Sequence, residues 1–320
     1  MRILSGFLLA TALFAAADQP QLSISNGLVT MKVLLPDPRN GYYQGTRFDW
    51  SGQVASLQYK GHNWFGQWNP APYDPKLHDA IMGPVEEFRT NEAGLGFHDA
   101  KPGESFIRIG VGAVRRPDDK PYQSFKSYAI VDPGKWTLKR HADRIEFTHV
   151  LQLGGYGYVY KKTLRLAKGK PVLEIEHSLR NTGTKTIQTE QYNHNFFVMD
   201  GKPTGPDASV TFPFAPRATL DLKGLAEIQG RKLVYLKELT PGQSTFTQIE
   251  GYGKTAADYD LRLEHRGAGI GVHITGDQPM TKLVYWSIGS TFCPEPYISL
   301  TAEPGREARW KYTYEFYTLP

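Results

Sequence analysis

From Ser105 to Gln191 the chain repeats one unit: an extended run, then a turn signal, about every ten residues. The runs at 105–114, 124–131, 135–140, 144–151, 157–166, 171–180 and 185–191 read as strands. They are punctuated by Arg116-Pro117-Asp118-Asp119, Asp132-Pro133-Gly134, Gly154-Gly155, Lys168-Gly169 and Asn181-Thr182-Gly183. Further strands are expected near 208–213, 232–236, 245–249, 259–265, 268–274 and 282–288, and a hairpin near the start turns at Asn26-Gly27. No stretch sustains a helical period, and no phosphate loop or internal repeat interrupts the cadence. This spacing excludes a helical bundle or a doubly wound sheet and predicts an all-β, antiparallel sandwich or barrel. The abundance of Gly (32), Pro (22) and Tyr (18) agrees, since these residues favour turns and strands.

The last strand alternates cleanly. Trp310, Tyr312, Tyr314 and Phe316 share one face, and Lys311, Thr313 and Glu315 the other. Before it stands Glu295, between Pro294 and Pro296, whose rings restrict the backbone on both sides. A carboxylate held stiffly beside an aromatic strand suits a sugar site; it also suits a surface loop.

Two motifs now coincide. The run CPEPYISLTAEPGREARWKYTYEF resembles the C-terminal motif of the aldose 1-epimerases (galactose mutarotases), in which the catalytic base precedes a proline-glycine turn and a closing strand. Upstream, LEIEHSLRNTGTKTIQTEQYNHNFF gives a strand, an Asn-Thr-Gly turn, a second strand and then Asn193-His194-Asn195-Phe196-Phe197, similar to the family's Asn-His-x-Tyr-Phe segment. The order and separation match as well. The resemblance implies a large antiparallel two-sheet supersandwich and interconversion of the α and β anomers of a free aldose without a cofactor. It implies Glu295 as base and His194 as acid, with His78 and Arg47 holding hydroxyls. Asp258 or Asp260 would supply an acidic substrate contact. A non-catalytic carbohydrate-binding protein on the same fold is the alternative, since a fold does not fix a function.

The match is looser at two points. Leu77-His78-Asp79-Ala80 lacks the second glycine of the corresponding family segment, and His98 is a rival histidine. Arg47 and Asp49 read equally as substrate contacts or as a structural ion pair. Residues 63–98, rich in proline, read as loop; Glu86 and Glu87 there read as solvated, with sugar hydroxyl binding as the alternative. Trp50, Trp64, Trp68 and Trp286 are all candidates for stacking on a sugar. His177 alternates with Leu173, Ile175 and Leu179 and reads as a core histidine.

The rest of the chain limits other functions. Arg2, an apolar run from Ile3 to Phe14 and Ala15-Ala16-Ala17 form a signal-peptide pattern over residues 1–17, leaving 18–320 as one exported domain, periplasmic or secreted. The run is too short to span a bilayer, and no other segment is apolar enough to be a transmembrane helix. The lone Cys293 has no internal disulfide partner and reads as a nucleophile or, more plainly, a buried apolar side chain. The nine histidines lack metal-ligand spacing. The net charge of +5 is scattered, which argues against nucleic acid.

Overall fold

The computed structural model describes residues 19–320; the expected leader and its cleavage point lie outside the described residues. Two sheets dominate. One has ten strands and the other six, and they sandwich the main hydrophobic core. The ladders are antiparallel, and the only helical pieces among the described residues are three 3-10 turns. The expected antiparallel two-sheet supersandwich is what the chain forms.

Alternation builds the core. In the Arg144–Leu153 strand, Ile145, Phe147, His149 and Leu151 are buried and their neighbours are not. The closing strand, Glu307–Thr318, lies centrally in the ten-stranded sheet, between Val172–Asn181 and Ile270–Gly276. Its aromatic face is buried as its period demands, but it packs between the sheets rather than beside an open site. Burial of four large rings there contributes on the order of several kcal/mol.

Three segments differ from the sequence reading. The run 105–114 is a hairpin of two strands, Ser105–Arg108 and Gly112–Arg115. Within 124–131 only Ile130 and Val131 join a strand, Ile130–Asp132. Residues 63–98 are not all loop, because Gly83–Arg89 is a strand of the six-stranded sheet. Glu86 and Glu87 are both fully buried there, one on each face. With both faces covered and each carrying a charge, the strand shows no polar alternation to read. Gly83 opens it at φ +81°, where a Cβ would meet the Val54 carbonyl oxygen at 2.6 Å.

Candidate active site

The outer face of the six-stranded sheet forms the floor of a cavity of about 1070 Å³. The central strand is Thr291–Ala302, flanked by Ile187–Phe196 on one side and Lys282–Ile288 on the other; Ser244–Glu250 lies beyond the latter and Gly83–Arg89 beyond the former. Register arranges the floor in rows. Gln248 faces Val284, and Val284 faces Glu295. The pairing of Tyr192 with Tyr297 continues to the Phe197–Phe292 bridge and sets His194 opposite Glu295. On one side of this row lie Phe246, Trp286, Cys293 and Phe196; on the other, Lys282, Tyr297, Tyr192 and Glu87.

The prolines act at the junction. The regular ladder between the two strands stops at Tyr192–Tyr297, where the proline segment begins. Proline offers no backbone donor. Asn195 compensates by donating from its side-chain amide to the Pro294 carbonyl at 2.8 Å. Beneath the floor, Tyr314 of the closing strand donates to Asn195 Oδ1 at 2.8 Å and accepts from Asn193 at 2.9 Å. The aromatic strand therefore braces the histidine strand from below.

His194 Nε2 lies 3.2 Å from Glu295 Oε1, and the two residues are 4% and 5% exposed. The imidazole stacks on Phe196 at 3.8 Å and meets the edges of Trp286 at 5.7 Å and Phe48 at 5.8 Å. Three aromatic neighbours thus hold the ring's orientation. Burial pushes the Glu295 carboxyl up to about 8, although the Arg47 charge draws it back. Burial, and then Arg47, push the His194 imidazole well below its ordinary range. Both shifts favour a neutral carboxylic acid beside a neutral imidazole, which together hold one acidic proton.

Arg47 reaches the site from the 42–51 loop. It donates to Glu87 Oε2 at 3.0 Å and to the Tyr192 hydroxyl at 2.9 Å, and Tyr192 in turn donates to Glu87. Arg108, fully buried, holds the other Glu87 oxygen at 3.0 Å and donates to the backbone carbonyls of Thr46 and Arg47. Burial raises the Glu87 carboxyl, but Arg47 and Arg108 outweigh it and hold the group below its ordinary value. Glu87 is a fixed anion that aims Arg47, and its proton affinity is too low for a general acid.

His78 also lines the cavity, half-exposed, with its ring 4.9 Å from that of Phe125. Of the four tryptophans, Trp68 and Trp286 line the cavity, whereas Trp50 and Trp64 are wholly buried. Asp49 is a structural residue: it bonds Ser51 and Tyr160 between the sheets and lies 3.7 Å from Lys162. Cys293 is buried in an apolar cluster, where desolvation pushes its thiol up.

Asp258 and Asp260 are not at the cavity. Asp258 caps its own 3-10 turn through Thr255, and Asp260 pairs with His273 at 2.8 Å on the outer face of the ten-stranded sheet. Leu261 and Leu263 take the inward positions, so alternation turns Asp260 out. His98 is exposed and bonds the Asn91 carbonyl. Sequence reasoning missed Tyr192, Tyr297, Lys282 and Gln248. For Tyr192 a signal existed, because it lies two residues before His194 and must share its face.

Against known proteins, neither a family model nor a curated relative matches this chain. Solved structures do. A galactose mutarotase-like protein from Lactobacillus casei ATCC 334 superposes with a TM-score of 0.57 at 12% identity, over 93% of this chain and 100% of that one. This chain has the galactose mutarotase-like fold. An aldose epimerase homologue from C. elegans gives 0.57 at 14%, covering 94% and 100%. A galactose mutarotase-like protein from Clostridium acetobutylicum gives 0.57 at 12%, covering 95% and 97%. At these identities the likeness describes the fold, and the chemistry must come from the cavity itself.

Proposed function

We propose that the protein is an exported aldose 1-epimerase that interconverts the anomers of a free sugar by acid–base catalysis. The observation that carries this reading is the Glu295–His194 pair, 3.2 Å apart at the floor of the cavity with Arg47 reaching it from the side. Ring opening takes the proton from the anomeric hydroxyl and gives one to the ring oxygen. The C1–O5 bond breaks, a carbonyl forms at C1, and rotation about C1–C2 followed by closure yields the other anomer. The active form of the pair is carboxylate with imidazolium, which has the same net charge as the stored neutral form. One proton transfer along the existing hydrogen bond interconverts them. Arg47 favours the carboxylate, and His78, which lines the cavity, holds a hydroxyl in this reading.

One observation favours a second reading, a carbohydrate-binding protein without catalysis. Burial keeps Glu295 protonated through neutral pH, which makes it a weak base. The deciding experiment follows anomer exchange by NMR for glucose and galactose. Saturable acceleration over buffer is expected, and its absence alongside saturable binding would favour the second reading. Export is proposed on the leader pattern of residues 1–17; a mature protein whose mass retains those residues would overturn it.

A further inference from the structure

The catalytic pair occupies one end of the floor. On its far side stand the Arg47–Glu87–Tyr192 network and the ring of Phe125, 4.9 Å from the Arg47 guanidinium carbon. On the near side the floor continues across two more strands, Lys282–Ile288 and Ser244–Glu250. Two strand spacings extend it by roughly 10 Å. There stand Val284, Gln248 and Phe246, which do not touch the pair, and Trp286, whose edge meets His194 while the rest of its ring extends along the floor.

Phe246 is the informative residue. It is 49% exposed on a strand whose other face is packed into the core, and it faces Trp286 directly across the ladder. Trp286 is itself only partly buried, and its edge meets Trp68 at 5.6 Å. Together they form an apolar shelf open to solvent beside one amide, Gln248. Pyranose rings present an apolar face and a hydroxyl rim, and such a shelf with one side-chain amide complements both. The cavity volume of about 1070 Å³ is also at the upper end of what encloses a drug-sized ligand, far more than one hexose fills.

Building on the proposed function, we infer that this shelf is a second sugar subsite. The substrate is then the reducing end of a di- or oligosaccharide. Its terminal ring lies over Glu295 and His194, and the next ring lies on Phe246 and Trp286.

The test compares glucose with maltose, cellobiose and maltotriose by NMR anomer exchange, in the parent and in Phe246→Ala. Binding of each sugar is followed in parallel by tryptophan fluorescence. Because Phe246 is exposed, its truncation leaves the core intact. The oligosaccharides are expected to show a kcat/KM about tenfold above that of glucose, and Phe246→Ala to remove most of that advantage through KM. Equal values for glucose and the longer sugars, unaltered by Phe246→Ala, would overturn the subsite while leaving the epimerase reading in place. Tight disaccharide binding without turnover, weakened by Phe246→Ala, would keep the subsite and reject the epimerase. Neither binding nor turnover of any of the four sugars would reject both.

Discussion

Two glutamate–histidine pairs lie on opposite faces of the same sheet. On the cavity face Glu295 Oε1 stands 3.2 Å from His194 Nε2; between the sheets Glu86 Oε1 stands 3.1 Å from His177 Nε2. All four residues are buried, each imidazole stacks on an aromatic ring, and neither Nδ1 has a hydrogen-bond partner among the described residues. Their charge states nevertheless diverge. Burial raises the Glu86 carboxyl, but Lys162 in direct contact, together with His177, outweighs it and holds the group below its ordinary value. Glu295 has no cation in contact; burial outweighs the more distant Arg47, Lys282 and Arg89, and the carboxyl rises to about 8. Distance and burial do not separate the structural pair from the one proposed to be catalytic. The nearest cation and an open face do.

The largest effect expected is on rate. Glu295→Gln keeps the shape of the carboxyl group but cannot accept a proton, so mutarotation should fall by about a hundred- to ten-thousand-fold. Sugar affinity should change far less, because the lost interaction belongs to the transition state. The same variant should gain stability in a pH-dependent way. Between the ordinary value of 4.5 and about 8 the folded parent binds a proton that the unfolded chain has released. Parent stability therefore falls as pH rises through that window, while the glutamine variant lacks the term. The variant's advantage should be absent below pH 4.5 and approach at most about 5 kcal/mol above pH 8, read from thermal melts across pH. A parent-like rate in Glu295→Gln would place the base elsewhere.

The structural pair should break in the opposite way. Lys162 is completely buried between Glu86 and Asp49, which burial has raised to about 6 despite the lysine. Lys162→Met leaves two carboxyls without their cation, and removing one partner of a buried ion pair costs about 3–5 kcal/mol. Denaturant melts should show that loss. The alkaline side of any residual activity profile should stay where it was, because Lys162 is not among the groups that shift Glu295. A variant as stable as the parent would mean that the cluster is not the structural element described here.

How far these differences can be read from the chain depends on whether they are local. The strand cadence, the closing aromatic strand and the setting of Glu295 and His194 are local patterns, and each survives in the structure. The role of Glu86 and Glu87 is not local. It depends on Lys162, His177, Arg47 and Arg108, which lie tens of residues away in sequence and arrive through the folding of both sheets. An aromatic face also does not say which side of a sheet it serves: Tyr314 braces the site from beneath rather than lining it, and Trp310 stacks on His177 between the sheets. Asp258 and Asp260 were inferred from an expected position in the chain. Strand alternation at Leu261 and Leu263 was the information that turns Asp260 away.

The smallest effect expected tests the long-range charge alone. Arg47 lowers the proton affinity of both members of the catalytic pair, and it is the cation that burial at Glu295 has to overcome. In the parent the rate should fall above about pH 8, where the pair loses its single proton and leaves a base without an acid. It should also fall in acid, where His194 takes up a second proton and Glu295 remains protonated, leaving an acid without a base. Arg47→Gln keeps a hydrogen-bonding side chain toward Glu87 and Tyr192 but removes the charge. Glu295 should then rise further, carrying the alkaline limb upward by about one pH unit, and His194 should rise toward its ordinary value, carrying the acid limb upward too. The whole bell moves to higher pH. Arg47→Lys keeps the charge and should leave the limbs in place even if misplaced hydrogen bonds lower the rate. A merely structural arginine predicts a lower rate in both variants with neither limb displaced, and pH–rate profiles of the three proteins decide between the two.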